Sequence, residues 1–317
     1  MPDISGIEVS VNIVRLEDQL MNQPDQTSLA VWLDANPVVR DLMWGRENYL
    51  DATSGTVDSA FFVSELYKIL QDSTFRTAVY GQTQETFQDL SDIEESLSLV
   101  FRRLKAQDPS FTPPAIKTVI SGFGRDVYVS DTLWLISLEN FIGPGAYYRP
   151  QGPGNQPLPQ YLAMRYQREY IVPILLKSFA QKYILFDNMS SPTLLDQMLR
   201  FGKLYEFTKS VLPELPDSLI VRYPQELLVD VEENMKTIWS HFIENELLYN
   251  TQYYDYRGYI DEAPGVPAIG SRCPGRIGRY VGWQILQEYR KQTDEDLLTL
   301  MKNPQSQRIL QTSRFKP

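Results

Sequence analysis

The stretch Gly143 to Pro159, GPGAYYRPQGPGNQPLP, limits what this chain can fold into more than any other. Proline fixes φ and lacks an amide donor, and glycine weakens any regular element, so such a run sustains neither helix nor strand over most of its length. It predicts a long loop. A loop of that length inside a compact domain is either a functional rim or a mobile excursion. It also separates two styles of sequence: mixed strand-like and helix-like runs before it, and almost purely helical apolar patterns after it.

Ahead of the loop, Ile7 to Val14 alternates Ile7, Val9, Val11 and Ile13 with Glu8, Ser10 and Asn12, the period of a half-buried edge strand. Helical spacing follows over 28–44, 57–71 and 83–105, the last with Leu90, Ile93, Leu97, Val100, Phe101 and Leu104 on one side. Pro109, Pro113 and Pro114 end that region. Two β-rich runs, Ile116 to Phe123 and Leu133 to Leu138, are expected to pair as neighbouring strands of a small sheet. Behind the loop, Tyr161 to Tyr183 is helical, with Pro173 expected to kink or split it. Ser190-Ser191-Pro192-Thr193 supplies an N-cap for a helix through Lys209. Gln225 to Leu248 places Leu228, Val231, Met235, Ile238, Trp239 and Phe242 on one face, and further helices are expected from Gly275 to Lys291, over 293–302 and over 304–312. The expected fold class is α+β, mainly α, a small β-sheet with many packed helices.

Several function classes are excluded or disfavoured. A chain of 317 residues can hold a core without staples, so stability says nothing about cofactors. The single cysteine, Cys273, forbids an intrachain disulfide and a thiolate metal cluster. A net charge of -10 repels phosphate backbones, and the longest basic cluster is only Arg102, Arg103 and Lys105, so no nucleic-acid partner is expected. The longest uncharged apolar stretch, Thr132 to Leu138, falls far short of the about 20 residues that span a bilayer.

The chemistry-bearing residues are sparse. A zinc hydrolase needs two imidazoles four apart on one helix face, and His241 is the only histidine; it sits between Trp239 and Phe242 and is read as structural or surface-facing. No metal or cofactor is expected. Ser121-Gly122-Phe123-Gly124 resembles a nucleophile elbow only in composition. Cys273 lies among Arg272, Arg276 and Arg279, which would lower a thiol pKa; the plainer reading is an incidental thiol at a helix start. A glycosidase needs only two carboxyls, and Glu169, Glu232, Glu233, Glu244 and Glu246 are candidates, although such residues in an acidic helical protein mostly coat solvated faces.

The most pointed local pattern is Pro274-Gly275-Arg276-Ile277-Gly278-Arg279-Tyr280-Val281-Gly282-Trp283-Gln284. The helix start with Arg276 suits an anion. Alternatively Gly278 and Gly282, four apart, strip one face so that another backbone packs closely, and this reading is preferred. Gly202 invites the same reading, with Lys203 as a possible buried charge. The tyrosines 249, 253, 254, 256 and 259 either meet a partner or glycan, or seal a helix-to-loop junction.

Taken in order, Gln160-Tyr161, Met198 with Gly202-Lys203-Leu204-Tyr205, Ile238-Trp239 with Phe242-Ile243-Glu244 and Leu247-Leu248-Tyr249, Pro274-Gly275-Arg276-Ile277-Gly278 with Gly282-Trp283-Gln284, and terminal Ser313-Arg314-Phe315-Lys316-Pro317 resemble the gliding-motility lipoprotein GldB family over nearly the whole chain. The resemblance implies a single GldB-like domain over 1–317, with a strand and helices in 1–110 and a zincin-like sheet and helices in 111–317. It implies a cell-envelope lipoprotein facing the periplasm, anchored by a lipidated N-terminal cysteine and linked to gliding and type IX secretion. Its expected partners are envelope or gliding-machinery proteins. The chain starts Met-Pro-Asp-Ile-Ser, without signal or anchor cysteine, which suggests truncation just ahead of Pro2. The implied scaffold is that of a zincin-like metallopeptidase in which Met164 to Glu169 occupies the metal-binding helix without its histidines. Such a pseudoenzyme is expected to fill the old cavity with charge pairs among Arg165, Glu169, Lys203 and Glu233, with Tyr205 and Arg276 completing a degenerate binding cleft and no catalytic residue. The alternative is a divergent carboxylate-dependent hydrolase of peptides or glycans.

Overall fold

Alternating apolar residues on short runs build a four-stranded sheet in the first of two units. The computed structural model describes residues 3–43, 59–147, 151–152, 156–184 and 191–317, and the chain divides into Met1–Leu175 and Leu176–Pro317. Trp44, residues 57–58, Ser190, and residues 148–150 and 153–155 of the expected loop lie outside the described residues.

In the first unit β1 (Ile13–Arg15) leads into α1 (Leu16–Met21), α2 (Gln26–Ala35), α3 (Pro37–Met43) and α4 (Ser59–Gln71). A π-helical turn (Phe75–Gly81), α5 (Gln82–Thr86) and α6 (Ser91–Gln107) precede β2 (Ala115–Val119), β3 (Val127–Val129) and β4 (Leu133–Ser137). The sheet order is β1-β2-β4-β3, with β1, β2 and β4 parallel and β3 antiparallel. Ile116 faces Trp134 and Thr118 faces Ile136 in the register, so the two expected runs are indeed neighbours. The edge strand is shorter than its alternation predicts. Val11 N–H donates to Ser98 Oγ and Ile13 N–H to Glu94 Oε1, so side chains of α6 take amides that a longer ladder would have used.

Period two along β4 serves two layers. Trp134 meets Phe101 of α6 edge-on at 5.2 Å, whereas Leu135 joins Leu16, Leu20, Leu29, Leu33 and Leu66. The predicted apolar side of α6 is buried, from Ile93 through Leu104. The helix expected over 83–105 instead breaks at 87–90, between α5 and α6. The Gly/Pro segment, expected to be irregular over most of its length, contains a short ladder, β5 (Gln151–Gly152) with β6 (Gln156–Pro157). Next come α7 (Gln160–Ala163) and α8 (Ile171–Ala180). The break therefore falls at 164–167. Pro173 lies in the first turn of α8, where a missing amide costs no helical hydrogen bond.

The second unit is helical throughout its described residues: α9 (Leu194–Val211), α10 (Asp217–Val221), α11 (Gln225–Glu233), α12 (Met235–Glu244), α13 (Tyr253–Ile260), α14 (Ile277–Lys291), α15 (Leu297–Lys302) and α16 (Ser306–Ser313). Thr193 caps α9 through a reciprocal box with Asp196. The single helix expected over 225–248 is cut at Asn234, yet Leu228, Val231, Met235, Ile238 and Phe242 are all buried, with Trp239 packed on them. Helices α9 and α14 form the centre of the unit. A Cβ at Gly202 would stand 2.6 Å from the carbonyl carbon of Gly282, and one at Gly278 3.0 Å from Tyr259 O, so the close-packing reading of these glycines holds.

Candidate functional site

Of the residues expected in a degenerate cleft, Arg165 and Glu169 belong to the first unit, and Lys203, Tyr205, Glu233 and Arg276 to the second. The segment Met164 to Glu169, assigned above to a metal-binding helix, is not an α-helix. Residues 164–167 form a turn and Arg168–Tyr170 a single 3-10 turn. Arg165 is buried, its guanidinium 5.1 Å from the ring centre of Tyr161. Glu169 and Glu233 are exposed, which corrects their assignment to buried charge pairs, because a solvated carboxylate has no desolvation to offset. Glu169→Gln is accordingly expected to change unfolding free energy by less than about 0.5 kcal/mol in urea titrations; a loss of several kcal/mol would restore the buried pair.

Lys203 is buried and its ammonium donates to the carbonyl of Asn303. Burial lowers its pKa to about 8, against the opposing pull of Glu295 and Asp196. Glu232, Glu244 and Glu246 are exposed along with Glu169 and Glu233, so none of the five candidate carboxyls has the apolar setting that a catalytic acid requires. His241 Nε2 lies 2.8 Å from Tyr259 Oη, consistent with a structural histidine. Burial pushes the Cys273 thiol up to about 12, so its arginine neighbours do not activate it. Among the described residues no group of three or more His, Cys, Asp or Glu is placed to hold a metal ion.

Two features of the second unit do gather. The first surrounds Lys177, on α8 past the unit boundary. Its ammonium donates to Ile220 O at 3.1 Å and lies 5.5 Å from the ring centre of Tyr205. Desolvation pushes its pKa well below the ordinary lysine range, and Arg222, Arg276 and Arg279 push the same way, against Glu262. Tyr205 thus lies beside a lysine that the sequence reading did not single out. The second is the tyrosine cluster, which divides. Tyr256 and Tyr259 are buried and bonded inward, Tyr256 donating to Pro192 O at 3.0 Å and Tyr259 Oη lying 2.8 Å from His241 Nε2, sealing the junction. Tyr249, Tyr253 and Tyr254 face solvent, Tyr254 at 80% exposure, with Ile243 exposed on α12. Tyr253 donates to Asp261 and meets Tyr256 edge-on at 5.7 Å, while Arg257 lies over Tyr254.

In the first unit the reading missed Glu139. Directly after β4, it is 1% exposed, and its Oε1 accepts from Ser121 N (2.7 Å), Ser121 Oγ (2.8 Å) and Phe123 N (3.2 Å). Burial raises its pKa to about 7 against those donors. It borders a cavity of about 350 Å³ with Arg125, Asp126, Asn140 and Tyr166. The one sequence signal was a glutamate following the apolar run Leu133 to Leu138.

The family described as gliding motility protein GldB matches residues 1–317, and the chain belongs to it. It is a gliding-motility-related lipoprotein, and that class is attached to the cell envelope. Comparison with curated proteins and with solved structures returned no significant match. Among the described residues no helix is long and apolar enough to cross a membrane.

Proposed function

We propose, from membership of this gliding-motility family, that the chain is a non-catalytic binding protein of the gliding and type IX secretion machinery, tethered by a lipid and facing the periplasm. The whole of 1–317 acts as one functional domain on a zincin-like scaffold, whose described residues gather no metal-binding group. One observation supports a binding role most: Tyr249, Tyr253 and Tyr254 stand exposed, with Ile243 on the neighbouring helix, in a unit that buries Tyr205, Tyr223, Tyr256, Tyr280 and Tyr289. Tyr253 and Tyr254, held by ring contacts and by the bond from Tyr253 to Asp261, lose little freedom on docking, and tyrosine is enriched in interface hot spots. The partner is an envelope protein of the machinery.

The double variant Tyr249→Ala, Tyr254→Ala is expected to melt within about 2 °C of the parent, since exposed rings contribute little to the core. It is expected to weaken co-purification with a gliding-machinery protein from envelope extracts at least tenfold, about 1.4 kcal/mol or more. Equal recovery by parent and variant would sink the assigned surface. Saturable hydrolysis of peptides or glycans, abolished by one Asp or Glu substitution, would replace the binder with the hydrolase.

A further inference from the structure

The cavity that Glu139 borders in the first unit measures about 350 Å³, within the size range of small-ligand pockets. Glu139 meets it with its two carboxyl oxygens unequally used. Oε1 accepts three hydrogen bonds, two from Ser121 and one from the amide of Phe123. Oε2 is buried and has no hydrogen-bond partner among the described residues. A buried polar atom is costly to leave unpaired, and an ionised one more so. The turn that fills Oε1 is itself held at a cost, because Phe123 takes left-handed backbone at φ 64 without being a glycine. Such conformations gather at ligand clamps. A second acceptor shares the lining. Asn140 spends its Nδ2 on the carbonyls of Arg125 and Ser137, both at 3.4 Å, and its Oδ1 accepts nothing among the described residues. Asp126 accepts from Val127 N at 2.8 Å and from Tyr166 Oη at 3.3 Å. Arg125, the one cation of the lining, is exposed, where solvent screens its charge.

We infer that this cavity binds a primary ammonium group on a short alkyl chain, with Glu139 Oε2 as its anionic acceptor. Donor geometry selects the ammonium. A guanidinium fork pairs with both oxygens of a carboxylate, and Oε1 is already filled; an ammonium is a compact point donor that needs one oxygen. Charge selects it over a hydroxyl, since a cation offsets the burial of an ionised carboxylate and a neutral donor does not. Burial raises the Glu139 pKa to about 7, so a cation at Oε2 favours the ionised form and its binding releases a proton near neutrality. Leu158 and Ala163 give the methylenes an apolar wall. The ammonium belongs either to a free alkylamine or to a lysine side chain of a protein. No residue of the tyrosine surface takes part in this pocket.

The test is calorimetric titration of the full chain at pH 8 and constant ionic strength with n-butylamine and with Nα-acetyllysine methylamide. Saturable binding of at least one amine is expected. The controls n-butanol and Nα-acetylnorleucine methylamide keep the shape without the charge, and they are expected to bind at least about tenfold more weakly. Glu139→Gln keeps the oxygen that Ser121 and Phe123 need and turns an amide nitrogen, a donor, toward the ligand. It is expected to melt no lower than the parent at pH 8 and to bind amine at least about tenfold more weakly. Affinity of the parent is expected to fall several-fold from pH 8 to pH 6, as Glu139 gains its proton, and that of the variant to stay level. Asp126, Arg125 and Tyr166 are the other titratable groups of the lining, so a fall that persists in the variant belongs to them and counts against Glu139. Tighter binding of the lysine derivative supports the pocket and assigns it to a protein side chain; tighter binding of butylamine supports it and assigns it to a free amine. No saturable amine binding, uncharged controls binding as tightly as the amines, or equal affinity in Glu139→Gln overturns the inference.

Discussion

Gly282→Ala is expected to destabilise the second unit by about 3 to 5 kcal/mol, a large share of the roughly 5 to 15 kcal/mol that holds a typical domain. A Cβ on Gly282 would sit 2.0 Å from the carbonyl oxygen of Met198 and 2.3 Å from its carbon. Both are backbone atoms of α9, so no side chain can swing away; the helices must part. Parting them opens the seam where Tyr205 meets Trp283 edge-on at 5.9 Å. It also strains a buried polar network. Trp283 Nε1 donates to Glu206 Oε2 at 2.9 Å and Arg290 Nη1 to Glu206 Oε1 at 2.6 Å, and Glu206 is buried. A carboxylate left there with fewer donors pays its desolvation in full. Gly258→Ala is the control: nothing lies within 4 Å of its Cβ, it is exposed within α13, and alanine is the better helix former by about 1 kcal/mol. Denaturant unfolding should place the two variants on opposite sides of the parent. Gly282→Ala within about 1 kcal/mol of the parent would mean that the helices do not pack backbone to backbone.

That contact was readable because it needs only local information. Glycines four apart mark one helix face, and a third glycine in another helix offers the complement. The apolar side of α6 and the pairing of β2 with β4 were readable for the same reason, since period and side-chain type are local. What escaped depends on tertiary competition. The edge strand ends early because Ser98 and Glu94 of α6 take its amides. The break at 164–167 was misplaced because Pro173 was weighed as a breaker, whereas its cost depends on where the helix begins. Lys177 was not visible, because only the packing that brings its ammonium to Ile220 O and to the ring of Tyr205 sets it apart from a surface lysine. Glu169 and Glu233 were assigned to buried pairs from resemblance alone, and nothing local distinguishes an exposed glutamate from a buried one.

Glu139 supplies the second large effect, and its sign follows from burial. The carboxyl has a pKa of about 7 in the folded chain, raised chiefly by desolvation from an ordinary 4.5. Between those values the folded state keeps a proton that the unfolded chain has lost, so the stability this group contributes is fully present below pH 4.5 and is lost as pH rises through 7. That difference corresponds to about 3 kcal/mol. Glu139→Gln imitates the protonated acid: its carbonyl oxygen can keep the donors from Ser121 and Phe123, and it cannot ionise. The difference in unfolding free energy between parent and variant is therefore expected to move by about 3 kcal/mol in the variant's favour from pH 4.5 to pH 8. Glu139→Ala is expected to destabilise at every pH, because it strands the amides of Ser121 and Phe123, and Gly122 and Phe123 hold left-handed backbone at φ 65 and 64 in the turn those bonds fix. Urea titrations at four pH values measure the effect. Parallel curves for parent and Glu139→Gln would show that the carboxyl titrates as an ordinary exposed glutamate, and the buried anchor of the Ser121 turn would have to be abandoned.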